Sequence, residues 1–327
     1  DAQRKMLKKM LIQRAHIICA TLSSSGHELL TASRVRFETV LIDEASQCVE
    51  LSSLIPLQYD ARRCILVGDA NQLPPTVLSA RAIQLNYARS LFERIQTMQP
   101  ASVDLLAVQY RMHPLISRFP SHIFYQGQIK DGPGMAERTQ APWHQSDLFA
   151  PFVFYNVADG REQSYGGRSF SNLREIEVVI GLIDRLVSQF TKVDFAGRIG
   201  VITPYKEQIR SLRLQCLRRY GERIREVIDF NTIDGFQGQE KDIILFSCVR
   251  ASRHNRLGFL SDIRRMNVAL TRARCSLFVV GNSETLQADN HWRSLVDEAR
   301  TRQCIYEVTW MAAIQTIHIM SFIRYRL

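Results

Sequence analysis

The sequence has 327 residues, 46% hydrophobic and 23% charged, a balance that excludes a disordered, collagenous or mucin-like chain; at about 150 residues per domain it predicts two domains. Lys and Arg number 42 against 32 Asp and Glu, a formal charge of +10, which points to a polyanionic partner such as nucleic acid or to a merely basic soluble protein. Of the basic residues 35 are Arg, which suits forked phosphate contacts, although codon usage produces the same skew.

The chain begins with Asp1 and a charged helical stretch to Gln13, with no signal peptide, and so reads as starting within a longer protein. Short runs rich in β-branched residues follow at 15–20, 37–43, 64–68, 105–108, 198–203, 227–230, 242–249 and 276–281, separated by helical stretches. Continuous apolar strands alternating with helices predict an α/β fold, with parallel sheets covered by helices on both faces. Pro100 marks the expected junction: residues 1–100 form one α/β domain, 101–310 a second, and 311–327 an atypical tail. Residues 131–168 are rich in Gly, Pro and Gln and are expected to be a loop over the surface. Asn172 and Glu175 have capping-box spacing; behind them Ile176, Val179, Ile180, Ile183, Val187 and Phe190 keep helical period and predict a core-facing helix. The helix at about 205–220 carries Arg210, Arg213, Arg218 and Arg219, expected on a solvated face. The seven Cys, at 19, 48, 64, 216, 248, 275 and 304, are odd in number and lack a CxxC pair, which predicts reduced, buried thiols. The apolar stretch 311–323 is too short to span a bilayer and contains His318.

Several strings at strand ends carry chemistry. Thr39 to Asp43 is an apolar strand ending in Asp43-Glu44. In an open parallel sheet, ligands bind beyond the carboxyl ends of strands. There one carboxylate can hold Mg²⁺ and the other can orient or deprotonate a water attacking a γ-phosphate. An acidic pair capping the next helix accounts for the dipeptide alone at least as well. The next strand ends in Gly68-Asp69-Ala70-Asn71-Gln72-Leu73-Pro74-Pro75. Here Gly68 lets the backbone turn close to a ligand, and Gln72, a two-sided hydrogen bonder, can sense a phosphate or water. The two strings together are far more specific than either alone. Three more follow: Gln109-Tyr110-Arg111-Met112-His113-Pro114, the run from Thr232 to Asp242 containing Gly238 and Glu240, and the basic run from Arg264 to Arg274. Charge on a transferred phosphoryl group calls for Arg from outside the metal shell, and Arg111 and Arg272 are the candidates.

In this order DEASQ, GDANQLPP, QYRMHP, TIDGFQGQEKD and RRMNVALTRAR resemble the later motifs of superfamily 1 helicases of the 5′-to-3′ branch. ICATLSSSGHELL, DFNTIDGFQGQEKDIILFSCVRA and SDIRRMNVALTRAR are similar to the senataxin-like RNA/DNA helicases in particular. The resemblance, over about residues 10–285, implies two RecA-like domains, the first one incomplete, with ATP and Mg²⁺ in an interdomain cleft. Hydrolysis there would drive translocation on single-stranded RNA or DNA, or on RNA–DNA hybrids. It implies that Asp43 binds Mg²⁺, Glu44 is the general base and Gln72 senses the γ-phosphate. Tyr110 would stack on the adenine, Arg111 and Arg272 would be arginine fingers, and Gly238 and Glu240 would contact the nucleotide. Thr21, Ser23, Thr203, Pro204, Tyr205 and Thr232 would follow the nucleic-acid backbone, although hydroxyls and prolines at strand ends also simply form turns. A nuclear location follows from the same likeness, with the cytoplasm as alternative.

The sequence departs from the pattern in one respect. The phosphate-cradling loop reads GxxxxGK[ST], yet none of the seven Lys follows a Gly. The expected explanation is that the loop lies before Asp1, in a longer helicase. A catalytically inactive nucleic-acid or protein-binding module is the rival. A nuclease-linked helicase would need an acidic metal cluster beyond these motifs, and the sequence offers none.

Overall fold

The computed structural model describes residues 2–166, 169–252, 256–308 and 323–324; of the expected tail, all but 323–324 lies outside these. The chain divides into two compact units, residues 1–105 and 106–327.

In the first unit, β1 (Thr39–Ile42) and β2 (Arg63–Leu66) pair in parallel, with Thr39 opposite Arg63 and Ile42 opposite Leu66. Their period-2 alternation sorts the side chains. Val40 and Ile42 turn inward, where Leu22, Leu57, Leu66 and Phe92 pack with them and Ala45. The opposite face is bare: Leu41 is 61% exposed and Ile65 is exposed as well. The helix Leu91–Met98 starts at Ser90, whose hydroxyl accepts from Glu93 N at 3.0 Å. It is tied to the helix Glu50–Leu54 by the forked pair Arg94–Glu50, at 2.7 and 2.9 Å. Residues 15–20 form no strand. Among the described residues no strand pairs with them, and Ile17 faces solvent.

The second unit is built on one sheet. Its strands are β3 (Val108–Gln109), β4 (Lys130–Asp131), β5 (Phe152–Asn156), β6 (Glu162–Tyr165), β7 (Ser169–Asn172), β8 (Ile199–Thr203), β9 (Ile228–Thr232), β10 (Lys241–Ser247), β11 (Ala273–Gly281) and β12 (Ile305–Glu307). Six of them run parallel in the order β12-β5-β11-β10-β8-β9, with Ile323–Arg324 antiparallel beside β12. The pairs β3–β4 and β6–β7 stand apart from this sheet. All residues of β5 and β8 are buried, as parallel strands covered on both faces must be. The α/β class with parallel sheets is thus as expected.

Strand β5 corrects the reading of 131–168 as a surface loop. A short apolar run sits inside a Gly- and Pro-rich stretch and was masked by its surroundings. Trp143 and Phe149, on 3₁₀ turns just before β5, are fully buried. Trp143 Nε1 donates to Ser276 Oγ at 2.8 Å, and Arg198 lies 5.3 Å over its ring, so this segment plugs the core.

The helix Leu173–Gln189 has Asn172 as its N-cap, accepting from Arg174 N and Glu175 N. The reciprocal half of the expected box is absent, because the Glu175 carboxylate points into the sheet. The core stripe contains Ile176, Val179, Ile180 and Ile183 as expected, but continues through Leu186, while Val187 faces out. On the helix Lys206–Tyr220, Arg210, Arg213, Arg218 and Arg219 are all exposed, as expected; three of them also reach partners, Arg213 donating to Phe230 O, Arg219 pairing with Asp184 and Arg210 with Glu207 at 3.6 Å. The thiols divide as well. Cys216, Cys248 and Cys275 are buried, Cys48 and Cys304 partly so, and Cys19 and Cys64 are exposed. Burial pushes Cys216 up to about 12 and Cys275 to about 11.

Candidate functional site

In the first unit, the tips of β1 and β2 converge. Val67 N donates to Ile42 O at 2.8 Å and Ala45 N to Val67 O at 2.7 Å, so Asp43-Glu44 and Gly68-Asp69 leave the sheet side by side. A Cβ on Gly68 would stand 2.8 Å from Ser46 N; only glycine allows this approach. Both Asp43 and Glu44 are exposed. Asp43 Oδ1 accepts from Glu44 N at 3.0 Å, and Glu44, with a left-handed φ of 50°, accepts from Gln47 Nε2 at 2.5 Å. One strand-end carboxylate with open surroundings suits Mg²⁺, which takes few protein ligands and keeps waters and phosphates. Gln72 is half-buried and donates to Asp69 Oδ2 at 2.8 Å, which holds it on the loop that follows β2. Thr21 and Ser23 lie on a separate turn, where Thr21 caps the helix Leu22–Ser25 by accepting from Ser24 N at 3.2 Å.

In the second unit, the amino ends of β10 and β11 gather the basic and acidic candidates. Arg111 Nε bonds Glu240 Oε2 at 2.5 Å, and Nη1 donates to Thr271 O at 3.3 Å. Arg274 lies 3.9 Å from Glu240 and 3.7 Å from Asp242. Arg272 is 3% exposed; Nε donates to Val268 O and Nη2 to Thr271 Oγ1, both at 3.0 Å. It therefore lies against the end of the helix Ile263–Leu270, beside the Arg111 cluster. Gly238, with φ +74°, sits exposed in the turn before β10. Tyr110 is 63% exposed. His113 N donates to Arg274 O at 2.8 Å, and its Nδ1 accepts from Leu115 N at 3.1 Å. Burial lowers its pKa and keeps the cap neutral.

The carboxyl ends of β8 and β9, on the opposite rim of the same sheet, hold the others. Pro204, Tyr205 and Thr232 line one pocket of about 320 Å³ with Lys206, Phe259 and Arg265. Thr203 is fully buried and Tyr205 is 1% exposed. The Tyr205 ring meets Phe170 and Phe259 at 5.3 and 5.8 Å between centroids, and its hydroxyl donates to Leu257 O and accepts from Arg250 Nη1. Tyr205 is thus a floor, and Pro204 and Thr232 are the half-exposed members. Thr232 Oγ1 accepts from Gly235 N at 3.2 Å, a turn bond of the kind strand-end hydroxyls make.

Behind this rim lies a polar network that no motif announced. Glu175 is fully buried; it accepts from Ser247 Oγ at 2.6 Å and Val249 N at 2.8 Å. Burial raises its pKa to about 8. Asn172 Nδ2 donates to Val249 O at 3.1 Å. Between these two bonds Val249 has φ +71°, and Arg250 N donates to Cys248 O at 2.8 Å. This is a γ-turn of the strained hand on a β-branched residue. It delivers Arg250 onto Glu162, at 2.7 and 3.1 Å, and 4.5 Å over the Phe170 ring. The only sequence hint was a Glu three residues after a cap.

Residues 87–284 and, separately, 1–80 match the family described as AAA domain. The chain is 51% identical over 305 residues to Helicase sen1 of Schizosaccharomyces pombe, covering 93% of this chain and 18% of that protein. It is 51% identical over 308 residues to Helicase SEN1 of Saccharomyces cerevisiae, covering 93% and 14%. Against Probable helicase MAGATAMA 3 of Arabidopsis thaliana the identity is 41% over 305 residues, covering 93% and 37%. The chain belongs to the AAA-domain family, in its senataxin-like superfamily 1 helicase branch. It spans 14% to 37% of the length of these three relatives.

Proposed function

We propose that the chain is a fragment of the core of an ATP-dependent RNA/DNA helicase, coupling Mg-ATP hydrolysis in an interdomain cleft to movement along single-stranded nucleic acid. The observation that carries this reading is the convergence of Asp43-Glu44 and the Gly68–Gln72 loop at neighbouring strand tips. The bound metal would neutralise phosphate charge. Asp43 would be its protein ligand, and Glu44 would take the proton of the attacking water. Gln72, now held by Asp69, turns to the γ-phosphate. Arg111 and Arg272 supply positive charge to the transferred phosphoryl group, Tyr110 stacks on the base, and Gly238 and Glu240 approach the nucleotide. Arg272 must leave its place on Thr271 and Val268 O to act. RNA, DNA or their hybrid runs over Pro204 and Thr232, with Thr203 and Tyr205 beneath, and over Thr21 and Ser23 on the first unit. The nucleus is the proposed location and the cytoplasm the alternative.

In the full-length protein that carries this chain, Glu44→Gln keeps Mg-ATP binding and loses about 10²–10⁴-fold in single-turnover hydrolysis, whereas Asp43→Asn weakens the metal–nucleotide complex. Hydrolysis by Glu44→Gln within a few-fold of the parent removes Glu44 as the base. A second reading, a catalytically silent nucleic-acid or protein-binding module, is favoured by the lack of any Gly-Lys pair in these 327 residues. It predicts nucleic-acid binding that is unchanged by ATP.

A further inference from the structure

We infer that Gly132, locked in place with Gln109 and Asp131, is the positioning residue that sets the ring of Tyr110 as a nucleobase platform. The inference rests on the reading of Tyr110 as the ring that stacks on the base. In the short parallel pair, Val108 lies opposite Lys130 and Gln109 opposite Asp131. The next bond of this ladder, Gly132 N to Gln109 O at 2.9 Å, sets Gly132 beside Tyr110. A methyl group on Gly132 would stand 2.2 Å from Tyr110 Cε1 and 2.4 Å from Cδ1. The ring therefore occupies the space that the Cβ of any other residue would fill. Its support is backbone held in a ladder, with no rotamer through which to yield, while 63% of the residue stays open to a ligand.

The turn that carries the ring is fixed by one amide. Gln109 Oε1 accepts from Arg111 N at 2.9 Å and from Met112 N at 2.8 Å. Its Nε2 donates to Met112 O at 2.9 Å and to Asp131 Oδ1. Asp131 Oδ1 in turn accepts from Ser117 Oγ at 2.6 Å. Gln109 thus closes the Tyr110–Met112 turn on itself and staples it to the residue before Gly132. The ring and the Arg111 guanidinium leave this turn as neighbours, so a single lock orients both. Preorganisation of this kind places the ordering cost in folding rather than in ligand binding.

The test measures hydrolysis by the full-length protein with ATP and with ribose 5′-triphosphate, which lacks a base. Gly132→Ala, by displacing the ring, raises KM for ATP by roughly 5- to 100-fold, the range a base–aromatic stack supplies, and leaves KM for the base-free triphosphate and both kcat values near the parent. Tyr110→Ala shows the same split, and the double variant is no worse than Tyr110→Ala, since the two changes remove one interaction. Should Gly132→Ala not fold, Gln109→Leu, which unties the turn without a clash and so loosens Arg111 as well, must still raise KM for ATP by more than KM for the base-free triphosphate, whatever the change in kcat. Equal losses on the two triphosphates, or an ATP KM moved by Tyr110→Ala but not by the positioning variant, overturn the inference. An ATP KM unmoved by Tyr110→Ala overturns the platform reading itself.

Discussion

The two rims of the second unit's sheet are made of different material. At the amino ends, Arg111, Glu240 and Arg274 form partly exposed ion pairs, each strengthened or weakened by whatever charge arrives. At the carboxyl ends, Thr203 and Tyr205 are buried, the chain makes a strained turn at Val249, and the Arg250–Glu162 pair is largely sealed from water. Exposed pairs contribute little to stability, whereas breaking a buried one leaves an uncompensated charge. The amino rim is therefore free to exchange partners, and the carboxyl rim is built to keep its shape. A phosphoryl-transfer site needs the first property and a track for a repetitive backbone needs the second.

The largest test of this contrast falls on the amino rim. In the full-length protein, Arg111→Ala lowers turnover by about 10³–10⁵-fold, the range for a missing arginine finger, while affinity for single strands stays at the parent value. Arg111→Lys rescues little, because a point charge lacks the planar fork. A parallel loss of nucleic-acid affinity would dissolve the division between the rims.

A second test addresses the rigid rim through Glu175. Its pKa is raised from the ordinary carboxyl value to about 8 in the folded chain, so the folded state binds a proton that the unfolded state releases. The stability contribution is therefore complete below the unfolded-state pKa and is lost as pH rises through that window toward about 8. Glu175→Gln keeps an oxygen for Ser247 and Val249 but cannot ionise. Denaturation of the chain across this pH range should show a falling profile for the parent and a flatter one for the variant. Parallel profiles would mean that Glu175 ionises freely and that the network does not hold the turn.

The smallest effect concerns binding. Contacts to phosphate carry no base information, so single strands of different sequence should bind alike, with a log–log salt slope of about −0.7 per phosphate neutralised. Thr232→Val, at the half-exposed lip of the pocket, should weaken binding by only a few-fold, the size of one hydrogen bond lost to solvent competition. Strong preference for one sequence in a fluorescence titration would replace the smooth track with a reading head.

The sequence was most informative where chemistry and strand period coincide. Asp43-Glu44 and Gly68–Gln72 could be placed at strand tips because apolar runs end just before them. Arg111 and Glu240, 129 residues apart, could be joined only through the resemblance of their motifs, since no local signal links them. The core strand Phe152–Asn156 was lost because its neighbours are turn formers, and the burial of Trp143 depends on a tertiary partner, Ser276. Tyr205 is the opposite case: the resemblance implies that it follows the nucleic-acid backbone, while in the fold its ring is enclosed by Phe170, Phe259 and Arg250. The buried network was hidden because Glu175 has the spacing of a helix cap, and only the folded sheet shows its carboxylate turned toward Ser247.

The distribution of the thiols makes the chain its own labelling scaffold. Cys19 and Cys64, the two exposed sulfhydryls, both belong to the first unit, while Cys216, Cys248 and Cys275 are shut inside the second. A maleimide dye reacts with accessible thiolate, so brief labelling of the unaltered sequence should mark the first unit before the second. A fluorophore there would follow one unit through nucleotide and nucleic-acid titrations, with the buried thiols Cys216, Cys248 and Cys275 of the other left unreacted.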